Sequence, residues 1–307
     1  MRSRYLTLAV VVPLGAVLLA SGCAAAGSSD PGGKIVAVGA ENEYANVIGQ
    51  VGGKYVQVTA IMSNPNTDPH TFEASASVAR LVSSAQLVVQ NGVGYDTFMN
   101  TIENAVPSSS RQVLVVQKLL GLPDSTPNPH LWYKPGTMTA VANAVAADLA
   151  ALRPSHAAFF KANAAAFTKS LNTWTSAIAA FKAKYPGTPV AVTEPVADYL
   201  LQAAGADIKT PWAFQADIMN GTDPSAQDVA VERSLFTEHK VKVFLYNQQV
   251  TDSLTESFIA LAKASHIPVV GVYETMPEPG YHYQSWMLAE VQDLAKAVAD
   301  KTSSEHL

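Results

Sequence analysis

Two hydrophobic periods alternate along this chain. Residues 34–40 form an apolar run of strand length, and 43–51 carry a helical stripe that stops at Gly52-Gly53. The alternation continues with strands predicted at 55–62, 85–90 and 112–119, and helices at 75–84, 96–105 and 136–152, Ser75 being placed to cap the first of these. After a long central stretch the pattern resumes. Strands are predicted at 189–193, 207–210, 241–246 and 268–273, helices at 195–204, 225–238, 251–265 and 285–301, and a frayed tail at 302–307.

The central stretch, 154–185, has no internal Gly or Pro beyond Pro154, and Phe160, Ala164, Phe167, Leu171, Trp174, Ile178 and Phe181 fall on one helical stripe. At 1.5 Å per residue it makes a helix about 45 Å long. Strands alternating with helices predict mostly parallel sheets covered on both faces. The fold class is therefore α/β: two lobes, each a mostly parallel sheet flanked by helices, joined by one long rigid helix. The predicted segments are a signal peptide at 1–22, a lipid-anchored flexible tether at 23–33, an N-terminal lobe at 34–153, the connecting helix at 154–185 and a C-terminal lobe at 186–307.

Composition narrows the function. The chain has 307 residues, 48% of them hydrophobic, enough for two domains with a sizeable core. A net charge of −5 offers no basic face for nucleic acid. Arg2 and Arg4 precede an apolar run at 6–20, the pattern of a secretory signal. It ends in Ala20-Ser21-Gly22-Cys23, which resembles a bacterial lipobox with its leucine (Leu19) one place early. Cys23 is the only cysteine, so it is expected to be lipidated, and the chain has no internal disulfide or thiolate metal site. The plainer alternative is a signal peptide followed by an incidental cysteine. No later apolar run approaches the roughly 20 residues of a membrane span. The expected location is extracytoplasmic, on the cell membrane through the lipid.

The candidate chemistry lies at strand ends, where open α/β sheets bind ligands. Two histidines leave stiff proline corners, in Asp68-Pro69-His70 and Asn128-Pro129-His130. Glu41, Glu43 and Asn91 follow strands of the first half. Glu194, Asn247, Gln248 and Glu274 follow strands of the second. If the lobes oppose each other, two imidazoles meet two carboxylates, a donor set for a divalent first-row metal whose charge the carboxylates neutralise. Single-oxygen binding by each Glu gives the tetrahedron zinc prefers; two-oxygen binding raises the coordination number and suits Mn²⁺ or Fe²⁺. Simpler roles exist for each residue. Glu194 suits the dipole of the following helix, Glu274 reads equally as a loop charge, and His282 is a rival ligand. Asp68 and Glu73 are placed to orient His70, and His156, His239 and His266 read as solvated.

The segments Val51-Gly52-Gly53, Asp68-Pro69-His70-Thr71-Phe72-Glu73, Asn91-Gly92-Val93-Gly94-Tyr95-Asp96, Asn128-Pro129-His130-Leu131-Trp132, the long helix, and Glu194 with Tyr199-Leu200 together resemble the bacterial metal-binding lipoproteins of ATP-driven zinc and manganese uptake systems. The resemblance implies two α/β lobes joined by a rigid helix, one divalent ion between them, and ligands at His70, His130, Glu194 and Glu274. Zinc-type members often carry His at the third position and a His-rich loop before the second ligand; here the third is Glu, and 121–128 contains no His. Glu274 stands where manganese-type members carry Asp. The cargo implied is Mn²⁺ or Zn²⁺, leaning to manganese, with Fe²⁺ also compatible.

The function this predicts is an extracytoplasmic binding protein, a monomer and not an enzyme, that hands its ion to an ABC permease with only small lobe movements. A surface adhesin or interaction lipoprotein with incidental metal binding is the alternative. A metallohydrolase would need an open metal position and a base such as Glu41 or Glu43; the four donors are consumed by the ion, and no His-Glu-x-x-His motif occurs.

Overall fold

The computed structural model describes Met1 and residues 33–66, 69–277 and 279–307, with the Thr71 side chain left out. The signal segment, Cys23, most of the tether, and Asp68 lie outside the described residues. In order, the elements are β1 (Ile35–Glu41), α1 (Asn42–Gly52), β2 (Val56–Met62), α2 (Ala76–Ser84), β3 (Leu87–Gln90), α3 (Thr97–Ala105), β4 (Gln112–Val115), α4 (Val116–Leu119), α5 (Thr137–Leu152), α6 (Ala157–Ser170) and α7 (Asn172–Lys184). There follow β5 (Pro189–Val192), α8 (Asp198–Ala203), β6 (Asp207–Ile208), α9 (Trp212–Met219), α10 (Ala226–Thr237), β7 (Val243–Asn247), α11 (Ser253–Ala264), β8 (Val269–Val272) and α12 (Tyr283–Asp300).

The strands form two fully parallel sheets, ordered β2-β1-β3-β4 and β6-β5-β7-β8. Each half repeats one topology, with its reversal of strand order between the first and third strands. β1, β3, β7 and β8 are buried almost throughout, which is why they read as continuous apolar runs rather than alternating ones. Successive residues still serve opposite faces. Val38, Ala40 and Val88 pack under α2 and α3 on one side of the first sheet. Ala191, Phe244 and Tyr246 pack under α9, α10 and α11 on one side of the second. The other faces, through Ile35, Ala37, Leu87 and Val89, and Val190, Val192, Val243 and Leu245, share one core with α1, α5, α6, α7 and α12. The two lobes thus have separate outer cores and a common inner one.

The predicted beam is present but jointed. A 3-10 turn at Pro154–His156 leads into α6, and the helix is interrupted at Leu171 before α7. The whole predicted stripe, Phe160 through Phe181, is buried. At the joint the Ser170 hydroxyl donates to the Phe167 carbonyl (2.6 Å), and the Leu171 N–H reaches back only to Thr168 (3.3 Å). Such side-chain competition for a helical carbonyl bends helices.

Three other expectations differ. The strand predicted over 112–119 leaves the sheet at Val115 and becomes α4, because Gln117 is held sideways: its N–H donates to Asn91 O (2.9 Å) and its side chain accepts from the Val93 N–H (2.7 Å). α9 had no counterpart in the pattern; it buries only Phe214, Gln215 and Ile218 and leaves Trp212 exposed, too few apolar positions to set a period. The tail is docked, not frayed. Ser304 N–H donates to Val269 O (2.9 Å) and accepts, through its carbonyl, the Gly271 N–H (2.8 Å). Gly271 makes this possible, since a Cβ there would overlap the Glu305 carbonyl and the Gln248 side chain. Gly271→Ala is expected to displace the tail and to lower stability by about 1–3 kcal/mol, the usual cost of overpacking. Urea unfolding, with hydrogen exchange at 303–305, checks this; unchanged protection there would mean the tail tolerates the methyl group.

Among the described residues no helix is long and apolar enough to cross a membrane.

Candidate metal centre

His70 sits on a 3-10 turn, Pro69–Thr71, after β2. The Phe72 N–H closes this turn on Pro69 O (3.1 Å). His130 follows β4 and α4 and opens a second 3-10 turn, Leu131–Tyr133. Asn128 fixes its imidazole. The Asn128 Oδ1 accepts the His130 backbone N–H (2.9 Å) and lies 2.8 Å from His130 Nδ1. Asn128 Nδ2 donates to Pro195 O (2.7 Å), which settles which end of the amide is oxygen. An amide oxygen only accepts, so Nδ1 carries the proton and Nε2 presents a lone pair. Burial lowers the pKa of His130, keeping it neutral and ready to ligate.

That lone pair faces a carboxylate. His130 Nε2 lies 3.3 Å and His70 Nε2 3.2 Å from the same oxygen, Glu274 Oε2. One donor atom from each of His70, His130 and Glu274 lies within 4.8 Å of the others, the spacing of groups that share an ion. His130 and Glu274 are fully buried; the His70 side chain retains 23% exposure and forms the solvent side of the site.

Glu274 directly follows β8 by way of Tyr273, and its backbone is held from both lobes. Gln249 Oε1 accepts the N–H groups of Glu274 (2.8 Å) and Thr275 (2.7 Å). Asn42, from α1, donates to Met276 O (2.8 Å) and accepts the Met276 N–H (3.0 Å). Burial alone would raise the Glu274 carboxyl, but at the acidic pH where it titrates the imidazoles of His130 and His70 are protonated, and their hydrogen bonds and charge outweigh burial and hold the group well below the usual carboxylate range. Tyr95 OH also donates to Oε2 (2.8 Å). Burial, and then the Glu274 charge, pushes that phenol well above its usual value, so it remains a donor.

A family model described as "ZnuA: Zinc-uptake complex component A periplasmic" matches residues 38–297. The chain belongs to this zinc-uptake component A family. It is 22% identical over 243 residues to the manganese-binding lipoprotein MntA of Bacillus subtilis (strain 168), covering 75% of this chain and 76% of the relative. It is 24% identical over 162 residues to the metal ABC transporter substrate-binding lipoprotein FimA of Streptococcus parasanguinis, covering 49% and 52%. The fold matches the periplasmic zinc binding protein TroA from Treponema pallidum at a TM-score of 0.75 and 18% identity, over 87% of this chain and all of that one. An Mn-bound periplasmic metal binding protein from candidatus liberibacter asiaticus matches at 0.71 and 16%, over 86% of this chain and all of that one.

Within this ZnuA-family fold the remaining predicted residues divide clearly. Glu194 follows β5 and stands outside the three gathered groups; Asn247 links it to Glu274, its Nδ2 donating to Glu194 Oε1 (2.8 Å) and to Glu274 Oε1 (2.5 Å). Asn91 is buried behind the site. It donates to Pro129 O (2.8 Å), accepts from Tyr44 OH (2.6 Å), and so supports the His130 corner. Glu41 is buried but outside the cluster, and its carboxyl is pushed well up by burial and then by Asp96 and Glu43. His282 is exposed, caps α12 and pairs with Asn46 (3.2 Å), away from the three gathered groups. His239 and His266 are exposed as expected, whereas His156 stacks on Tyr55 at 3.8 Å. Sequence reasoning did not single out Asn128, Tyr95 or Gln249; the first two sat unremarked inside quoted motifs. Removing the Asn128 amide should free the His130 ring. Asn128→Ala is expected to weaken ion binding about 10–100-fold, the usual effect of losing a partner behind a metal-binding histidine. Competition against a chromophoric chelator checks it, and parental affinity would remove Asn128 from the site.

Proposed function

We propose that this chain is the extracytoplasmic receptor of a metal-uptake system, holding one divalent ion, Mn²⁺ or Zn²⁺, on His70, His130, Glu194 and Glu274 and delivering it to an ABC permease. Fe²⁺ suits the same donors. The observation that carries the reading is the pair of imidazole Nε2 atoms aimed at one buried carboxylate oxygen. Donor atoms converge in this way around a shared cation or proton, and two carboxylates add the charge that lets M²⁺ leave water. The similarity to a manganese-binding lipoprotein and to a substrate-binding lipoprotein of a metal ABC transporter supports it.

The cycle is capture and release, with no bond made or broken in a substrate. His70 exchanges the ion with solvent; His130 and Glu274 hold it in the dry interior. In this reading 1–22 is a signal peptide, Cys23 carries the lipid that keeps the protein at the membrane, 23–33 is the tether, and 34–153 and 186–307 are lobes that close on the ion as a monomer, braced by 154–185. Elemental mass spectrometry on metal-stripped protein re-equilibrated with equal Mn²⁺, Zn²⁺ and Fe²⁺ tests the reading. One equivalent of a divalent ion is expected. Protein that retains none would overturn it.

A further inference from the structure

Asn247 occupies an unusual position for a neutral side chain, between two buried carboxylates at the end of β7. Every polar atom of its side chain is engaged. Oδ1 accepts the Gln249 N–H (3.0 Å), which fixes the amide's orientation and leaves Nδ2 to the acids. The backbone is tied as well, its N–H donating to Thr193 Oγ1 (3.0 Å), one residue before Glu194. The two hydrogens of Nδ2 then reach Glu194 Oε1 and Glu274 Oε1. The other Glu274 oxygen, Oε2, is the one that faces His70, His130 and Tyr95. The carboxylate is thus divided: one oxygen turned to the histidines, the other to the amide.

We infer that Asn247 sets the coordination number of the site, by holding one oxygen of each carboxylate in a hydrogen bond so that each Glu gives the ion a single oxygen. Two imidazole nitrogens and two single oxygens make four donors, the geometry zinc takes readily. Mn²⁺ is better served by more oxygen ligands, which here would require Oε1 of Glu274 or Glu194 to leave Nδ2. Asn247 is therefore a specificity-determining residue that biases a manganese-like donor list toward zinc. The inference rests on the ligand set proposed above.

The test uses the full-length protein in detergent, loaded with Co²⁺ as a spectroscopic stand-in. Four-coordinate Co²⁺ gives intense visible bands and six-coordinate Co²⁺ weak ones. The parent is expected to show the intense spectrum and to retain Zn²⁺ over Mn²⁺ in equal competition. Asn247→Ala is expected to weaken the Co²⁺ bands and to raise the Mn²⁺:Zn²⁺ retention ratio by about tenfold or more, the scale of an outer-shell change at a metal. Circular dichroism establishes that the variant is folded. The parent spectrum also stands without it: one equivalent of Co²⁺ bound with weak, six-coordinate bands overturns the role of Asn247 while leaving the receptor reading intact. A folded variant with the parental spectrum and ratio overturns it too. Absence of any bound ion in the parent overturns the ligand set itself.

Discussion

Glu274→Ala is expected to abolish tight ion binding. Its Oε2 is the atom on which both histidines converge, at 3.2 and 3.3 Å, and its carboxylate is buried and ionised. The variant removes a donor and a neutralising charge together, so the loss should exceed the roughly 10–100-fold expected for partners behind the ligands. Isothermal titration with Zn²⁺ and Mn²⁺ measures it. His282→Ala is the matching control, because His282 caps α12 at the surface and should leave affinity unchanged. If Glu274→Ala binds like the parent, the fourth donor lies elsewhere. If His282→Ala is the variant that loses the ion, His282 takes its place.

The second large effect is on stability, and it runs against pH. Glu290 is buried where Trp286 Nε1 (3.0 Å) and Tyr133 OH (3.1 Å) donate to its Oε1, and burial pushes its pKa up to about 8. Glu232, beside Thr210, is likewise pushed up by burial to about 8. In the unfolded chain both return to ordinary glutamates near 4.5. Between these values the folded state holds protons that the unfolded state has lost, so stability falls as pH rises from about 4.5 through 8. At about 1.4 kcal/mol per pKa unit, two rises from 4.5 to about 8 amount to at most about 10 kcal/mol. Glu274 acts in the opposite sense. Its depressed pKa contributes stability above the unfolded value that is lost as pH falls. The metal-free protein should therefore be most stable near about pH 5 and weaken toward alkali. Glu290→Gln, a neutral near-isostere, should flatten the alkaline side. Midpoints of urea unfolding across this range check it; a profile that rises from acid to neutral pH would mean these carboxyls are ionised in the fold.

The strands and the site's corners were legible because each carried its signal locally. Fully buried parallel strands appear as apolar runs, and the proline corners before His70 and His130 mark where stiff loops leave the sheet. The rule that open sheets bind at their carboxyl ends put Glu274 among the candidates, but its place opposite the histidines was conditional on the lobes facing each other, and it read equally as a loop charge. What escaped was made by single side-chain contacts, most of them with distant partners. The bend at Leu171 depends on a serine hydroxyl competing for a carbonyl, and the sideways turn at Gln117 on the loop at Asn91. The tail reads as polar and terminal, yet docks because Gly271, far away in sequence, leaves room. Asn247 looked like any residue ending a strand; its importance follows from two acids, 53 and 27 residues distant, meeting on one nitrogen.

The shared inner core has a consequence for how the protein unfolds. Aromatic and aliphatic side chains from both sheets and from α5, α6, α7 and α12 belong to one apolar cluster, so neither sheet can shed its helices without exposing the other. Despite its two sheets, residues 33–307 should melt in a single calorimetric transition, with the van't Hoff and calorimetric enthalpies in agreement. An ion bound only by the folded state adds about 4 kcal/mol at a thousandfold excess over Kd, and this cooperativity delivers that gain to the whole unit. The melting temperature of the entire body then becomes a reporter of what the donor atoms of His70, His130 and Glu274 hold.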